Sequence, residues 1–306
     1  MITTLTGENS FAWGELLRQL TDAFVAEHGE LTLERLDGEE DDFALIQQAL
    51  TSLPFLADKK LVVLRMPSKN KQFLEQFEQL LVQLPSMTDV IIVEPKLDKR
   101  LNYYKFVKKE TNFREFPELD YNALAGWLTA TVKGRNGSLG VGDARYLVER
   151  VGANQQLLAN ELDKLILYNP HITRQTIDLL TDPVPQSTIF QLLEAAFAGR
   201  NRETLELYAQ QRALKVEPQQ IVALLAWQLH VVAVVKTAGD RSADQIAQEA
   251  KMNPYVVRKS QAIARRLSLP ELRKRVADLA TIDKRLKRTP INPDEALQHY
   301  LLTLKT

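Results

Sequence analysis

Two short apolar runs constrain this chain more than any other feature. Leu61-Val62-Val63-Leu64 and Val90-Ile91-Ile92-Val93 contain no polar residue at alternate positions. A strand turns successive side chains to opposite faces, so an unbroken apolar run needs cover on both faces. That is the condition of a strand inside a parallel sheet flanked by helices. The surrounding segments agree. Ser10–Glu27 places Phe11, Leu16, Leu17, Leu20 and Phe24 at helical spacing, with Ser10 expected as the N-cap. Asp41 and Asp42 open a helix that turns Phe43, Leu45, Ile46, Ala49 and Leu50 inward. Lys71–Leu84 and Leu101–Lys108 read as helices, and Ile2–Leu5, Leu31–Leu36 and Asn112–Phe116 as strands. Strand–helix alternation across residues 2–116 argues for a parallel sheet covered by helices.

After Pro117 no strong strand candidate returns. Helices are expected at Tyr121–Val132, Asp143–Val151, Gln155–Tyr168 and Arg174–Leu180, the last with Thr173 as its N-cap. Thr181-Asp182-Pro183-Val184-Pro185 reads as a linker, because closely spaced prolines break helices. Seven helices follow, at about Ile189–Ala198, Glu203–Leu214, Pro218–Thr237, Ala243–Ala250, Tyr255–Arg266, Pro270–Lys287 and Asp294–Leu304. The expected fold class is α/β plus all-α. The expected domains are an α/β domain at 1–118, a small helical domain at 119–183 and a helical C-terminal domain at 184–306.

Composition removes several functions. The chain has no cysteine, which excludes disulfide frameworks, thiolate zinc sites and cysteine nucleophiles and fits a reducing cytoplasm. His28, His171, His230 and His299 are far apart without ligand spacing, so no metal is expected. Lys+Arg and Asp+Glu are 39 each, which excludes a uniformly basic nucleic-acid coat. The balance is not local. Residues 1–50 carry eleven acids against Arg18 and Arg35, while residues 251–288 carry twelve bases against Glu271, Asp278 and Asp283. Such asymmetry suggests that the two ends face different partners. No apolar run approaches the roughly 20 residues that span a bilayer. Met1-Ile2-Thr3-Thr4-Leu5 lacks the basic start of a signal peptide. A soluble, cytoplasmic protein without a membrane partner is expected.

A search for chemistry finds no active site. A phosphate-binding loop between the first strand and helix needs G-x-x-x-x-G-K-[ST]. Here Gly7-Glu8-Asn9-Ser10-Phe11-Ala12-Trp13-Gly14-Glu15 has the second glycine misplaced and Glu15 where a cation is needed. Gly137, Gly140 and Gly142 have no preceding strand for a dinucleotide site. No catalytic residue and no cofactor is expected.

Three segments stand out. Leu50-Thr51-Ser52-Leu53-Pro54-Phe55-Leu56 holds apolar residues where Pro54 ends a helix; they are either local core or an anchor for a partner's pocket. Lys96-Leu97-Asp98-Lys99-Arg100 follows a buried strand, where parallel sheets gather ligands, or is a capped helix start. Residues 245–266 read as a helix-turn-helix with a basic second helix, or as two packed helices with snorkelling cations.

The order of segments along the chain resembles a known family. Leu5-Thr6-Gly7-Glu8-Asn9 comes first, then Ser52-Leu53-Pro54-Phe55-Leu56-Ala57-Asp58-Lys59-Lys60-Leu61-Val62-Val63-Leu64 and Lys96-Leu97-Asp98-Lys99-Arg100. Leu147-Val148-Glu149-Arg150-Val151-Gly152, Glu161-Leu162-Asp163-Lys164-Leu165 and Ile172-Thr173 follow. Met252-Asn253-Pro254-Tyr255-Val256-Val257 and Ile282-Asp283-Lys284-Arg285-Leu286-Lys287 complete the set. Together they resemble the delta subunit of the bacterial DNA polymerase III clamp loader.

The resemblance implies an AAA+-like domain without a working phosphate loop, a helical lid and a helical collar. It implies a subunit of a DNA polymerase holoenzyme with no catalysis of its own, which binds a sliding clamp and opens one ring interface. Its partners would be the clamp, the other clamp loader subunits (delta prime and gamma/tau) in a hetero-pentamer, and primed DNA, with ATP hydrolysis supplied by other subunits of the loader. By the same resemblance, Leu53 and Phe55 are the clamp anchors, with Leu50, Pro54 and Leu56 beside them. Arg258, Lys259, Arg265 and Arg266 are candidates for facing DNA phosphates. The alternative is a DNA-binding regulator that uses residues 245–266.

Overall fold

The computed structural model describes all residues except 55, 56, 184, 251, 253 and 306, and leaves out the side chains of 185–188, 254 and 255. The chain divides into two compact units, Met1–Leu119 and Asp120–Thr306.

The first unit is a five-stranded, all-parallel sheet. Its strands are β1 (Ile2–Thr6), β2 (Leu33–Asp37), β3 (Lys60–Arg65), β4 (Thr88–Glu94) and β5 (Asn112–Glu115), in spatial order β2-β3-β4-β1-β5. Its helices are α1 (Ser10–His28), α2 (Phe43–Thr51), α3 (Lys71–Val82) and α4 (Asn102–Glu110).

The apolar runs of β3 and β4 divide between two cores, as strand alternation requires. Val62, Leu64, Val90 and Ile92 pack with Ile46, Ala49 and Leu50 of α2, Phe73, Phe77 and Leu80 of α3, and Tyr103 and Val107 of α4. Leu61, Val63, Ile91 and Val93 join Leu5 on the other face, under Trp13, Leu16, Leu17, Leu20 and Phe24 of α1. The N-cap of α1 is Asn9, whose side chain accepts from Ala12 N–H at 2.9 Å; Ser10, the expected cap, is the first helical residue.

The second unit is helical. It holds α5 (Tyr121–Gly134), α6 (Val141–Val151), α7 (Gln155–Tyr168) and α8 (Arg174–Leu180). Thr173 caps α8 in a reciprocal capping box with Thr176. Contrary to expectation, two short strands appear here: β6 (Ser138–Leu139) pairs in parallel with β7 (His171–Ile172). The remaining helices are α9 (Pro185–Phe197), α10 (Asn201–Ala213), α11 (Pro218–Thr237), α12 (Ala243–Ala250), α13 (Pro254–Arg266), α14 (Leu269–Arg288) and α15 (Pro293–Leu302).

These later helices share one core drawn from residues 189–304, with α11 at its centre. At 20 residues α11 is long and apolar enough to cross a bilayer, which the run-length reading did not anticipate. Its Ile221, Leu225, Leu229 and Val232 are instead buried among its neighbours.

Candidate functional site

Loops that follow strands in a parallel sheet share one edge, and loops that precede them share the other. The glycine loop after β1 lies at the carboxyl edge and is closed by its own chain. Gly7 has φ 118°, and a Cβ there would stand 2.1 Å from the Phe116 carbonyl oxygen. Asn9 N–H donates to that carbonyl at 3.1 Å, and Phe116 N–H donates to Thr6 O at 2.7 Å. The N–H groups of Ser10, Ala12 and Trp13 are likewise satisfied locally, by Glu8 O, Asn9 Oδ1 and Asn9 O. A phosphate-binding loop leaves such N–H groups free to face the anion.

Glu94 ends β4 beside Thr6 in the sheet. It is almost wholly buried, and its carboxylate accepts from Ser68 N–H at 2.7 Å and Ser68 Oγ at 2.9 Å. Burial raises its pKa from an ordinary 4.5 to about 7, against the opposing pull of the Ser68 hydrogen bonds and Lys69. Tyr103, edge-on to Phe73 and Phe77, keeps a buried hydroxyl without a hydrogen-bond partner among the described residues.

The segment Lys96–Arg100 sits at the same edge and is mostly paired internally. Asp98 accepts from Arg100 Nε at 2.9 Å and Nη2 at 2.7 Å, which holds the Asp98 carboxyl down at about 2. Lys99 reaches Glu115 at 3.2 Å, Lys96 lies 3.9 Å from Glu8, and Leu97 is half-buried against the core.

The apolar tip lies at the opposite, amino edge, between α2 and β3. Helix α2 stops at Thr51 because Ser52 turns extended, at φ −68° and ψ 148°, and Pro54 cannot continue the helix. The structure separates the expected anchors. Leu50 is fully buried in the core, so it is not a tip residue. Leu53 is 69% exposed and Pro54 is half-buried. Phe55 and Leu56 lie outside the described residues.

One residue missed by sequence reasoning is Lys60, the first residue of β3. It is 2% exposed, and its ammonium donates to Ala49 O and to Ser52 Oγ, the latter at 2.8 Å, with Glu34 Oε1 at 3.4 Å. A second is Glu149 of α6, the ion-pair partner of Lys259 on α13. The Lys259 ammonium also lies 5.1 Å from the Phe190 ring centre. Arg258 bonds Asp244 of α12 at 3.1 Å. Of the four DNA-facing candidates, these two have carboxylate partners, while Arg265 and Arg266 are exposed in the last turn of α13.

The fold thus defines a class: an AAA+-like parallel-sheet domain followed by a helical unit. Two family models then match it. One described as DNA polymerase III, delta subunit, covers residues 4–116, and one described as DNA polymerase III delta subunit, C-terminal domain, covers residues 186–304. The DNA polymerase III subunit delta of Bacillus subtilis (strain 168) is 24% identical over 317 residues, spanning 98% of this chain and 91% of that protein. The solved structure of the Bacillus subtilis DNA clamp loader delta protein superimposes with a TM-score of 0.75 at 22% identity, covering 99% of this chain and 94% of that one. The chain belongs to the DNA polymerase III delta subunit family, that of a clamp loader component in DNA replication.

Proposed function

We propose that this chain binds a ring-shaped sliding clamp through the tip after α2 and holds one ring interface open for loading onto primed DNA. The observation that carries the reading is Leu53. A large apolar side chain stands 69% exposed at a proline-terminated tip, in a family whose task is clamp loading. Leu53 with Phe55 would fill a pocket on the clamp, with Pro54 and Leu56 completing the contact. Exposed aromatic and aliphatic anchors of this kind dominate interface energies.

Opening a ring needs no bond chemistry. It needs tighter binding to the open form than to the closed form, and only that difference does mechanical work. The closed glycine loop supports assigning ATP hydrolysis to other subunits of a cytoplasmic hetero-pentamer that also holds delta prime and gamma/tau. Within this reading 119–183 acts as the lid and 184–306 as the collar. The collar assignment is supported by a groove of about 500 Å³ between α11 and α14, lined by Val222, Ala226, Leu229, Val276 and Leu279. Exposed Arg265 and Arg266 would meet DNA phosphates in the assembled loader, independently of sequence.

Ring opening is tested with a clamp carrying a fluorescent pair across one interface. Adding this chain without nucleotide should separate the pair. A clamp that binds the chain yet stays closed contradicts ring opening.

A further inference from the structure

We infer that Lys60 is the positioning residue of the clamp-contacting tip, an inference that rests on the clamp-binding reading above. A buried ammonium is costly unless its protons are taken up, and an apolar residue of similar volume often serves stability equally well. Lys60 lies on the sheet face that α2 covers, where a methionine would fill the space of its stem. Besides Glu34 of β2 at 3.4 Å, its ammonium meets two groups at the foot of the tip. Ala49 O is one of the last carbonyls of α2, which lack helical partners, and a cation there also meets the negative end of the helix dipole. Ser52 is the residue at which α2 gives way to extended chain. Bonding both from the start of β3 fixes where the helix ends and the direction in which Leu53 leaves it. An anchor held in its bound direction loses less freedom on docking.

Neighbouring Lys59 supplies the control. Its side chain is 48% exposed and lies 3.8 Å from Asp89 of β4, not against α2. Lys59→Met changes net charge as Lys60→Met does.

The test measures clamp affinity and thermal unfolding for the full chain and for Lys60→Met, Ser52→Ala, Ser52→Thr, Lys59→Met and Leu53→Ala, below every unfolding transition. Lys60→Met should weaken clamp binding about tenfold or more. Ser52→Ala, which leaves the core intact, should weaken it several-fold, and Ser52→Thr should restore it. Lys59→Met should stay within about twofold of the unsubstituted chain. A residue that serves stability alone would lower the unfolding temperature and leave the affinity of the folded chain unchanged. Unchanged affinity in Lys60→Met and Ser52→Ala, with Leu53→Ala impaired, overturns this inference alone. Unchanged affinity in Leu53→Ala overturns the tip reading and this inference with it.

Discussion

Ser68 holds Glu94 from two atoms, its backbone N–H at 2.7 Å and its hydroxyl at 2.9 Å. The carboxyl is nevertheless raised to about 7, because burial outweighs both bonds. An acid that binds its proton more tightly when folded than when unfolded contributes stability that is full below its unfolded value. That stability is lost as pH rises through the folded value. The first unit should therefore lose stability between pH 4.5 and about 7, by about 3 kcal/mol at most. Glu94→Gln should flatten that slope, matching the unsubstituted chain near the bottom of the window and exceeding it above pH 7. Urea denaturation across the range checks this, and an unaltered slope contradicts it.

Gly7 and Gly14 give opposite predictions from one loop and helix. Gly7 has φ 118° and no room for a Cβ beside Phe116, so Gly7→Ala should destabilise the first unit by about 2 kcal/mol or more. Gly14 lies inside α1 with nothing within 4 Å of an added Cβ. Gly14→Ala should stabilise it by about 0.5–1 kcal/mol. Chemical denaturation of the two variants measures both signs.

The Lys259–Glu149 pair joins helices from opposite sides of the Thr181–Pro185 segment. Lys259 is held between a carboxylate and the Phe190 ring, so the pair is more sheltered than a surface ion pair. A double-mutant cycle with Lys259→Ala and Glu149→Ala should give a coupling energy of about 1 kcal/mol or more. Coupling near zero contradicts the contact. If Lys259 contributes to DNA binding instead, its substitution should lower the salt dependence of that binding, which Glu149→Ala should not do.

Much of the fold is written in periodicity. The unbroken runs at 61–64 and 90–93 read as strands covered on both faces, and they form β3 and β4 inside the sheet. The spacing of Ile46, Ala49 and Leu50 also marks one helical face. That face puts Leu50 in the core, which the resemblance had set beside the tip anchors, and Leu50 is fully buried. Other features depend on partners distant in sequence. Lys59 and Lys60 are chemically alike in the sequence, yet one is exposed and the other buried, because only Lys60 faces α2. Glu149 and Lys259 meet across more than a hundred residues, and no local pattern signals it. β6 and β7, each of two residues, are too short to carry an alternation.

The measurement that tests the central claim most directly is binding of the full chain to a sliding clamp from the same organism, with and without Leu53→Ala plus Phe55→Ala. Each anchor should contribute about 2 kcal/mol or more, so the double change should reduce affinity by about a thousandfold, at an unaltered unfolding temperature. A well-folded chain that does not bind the clamp, or whose double variant binds as tightly as before, contradicts the account.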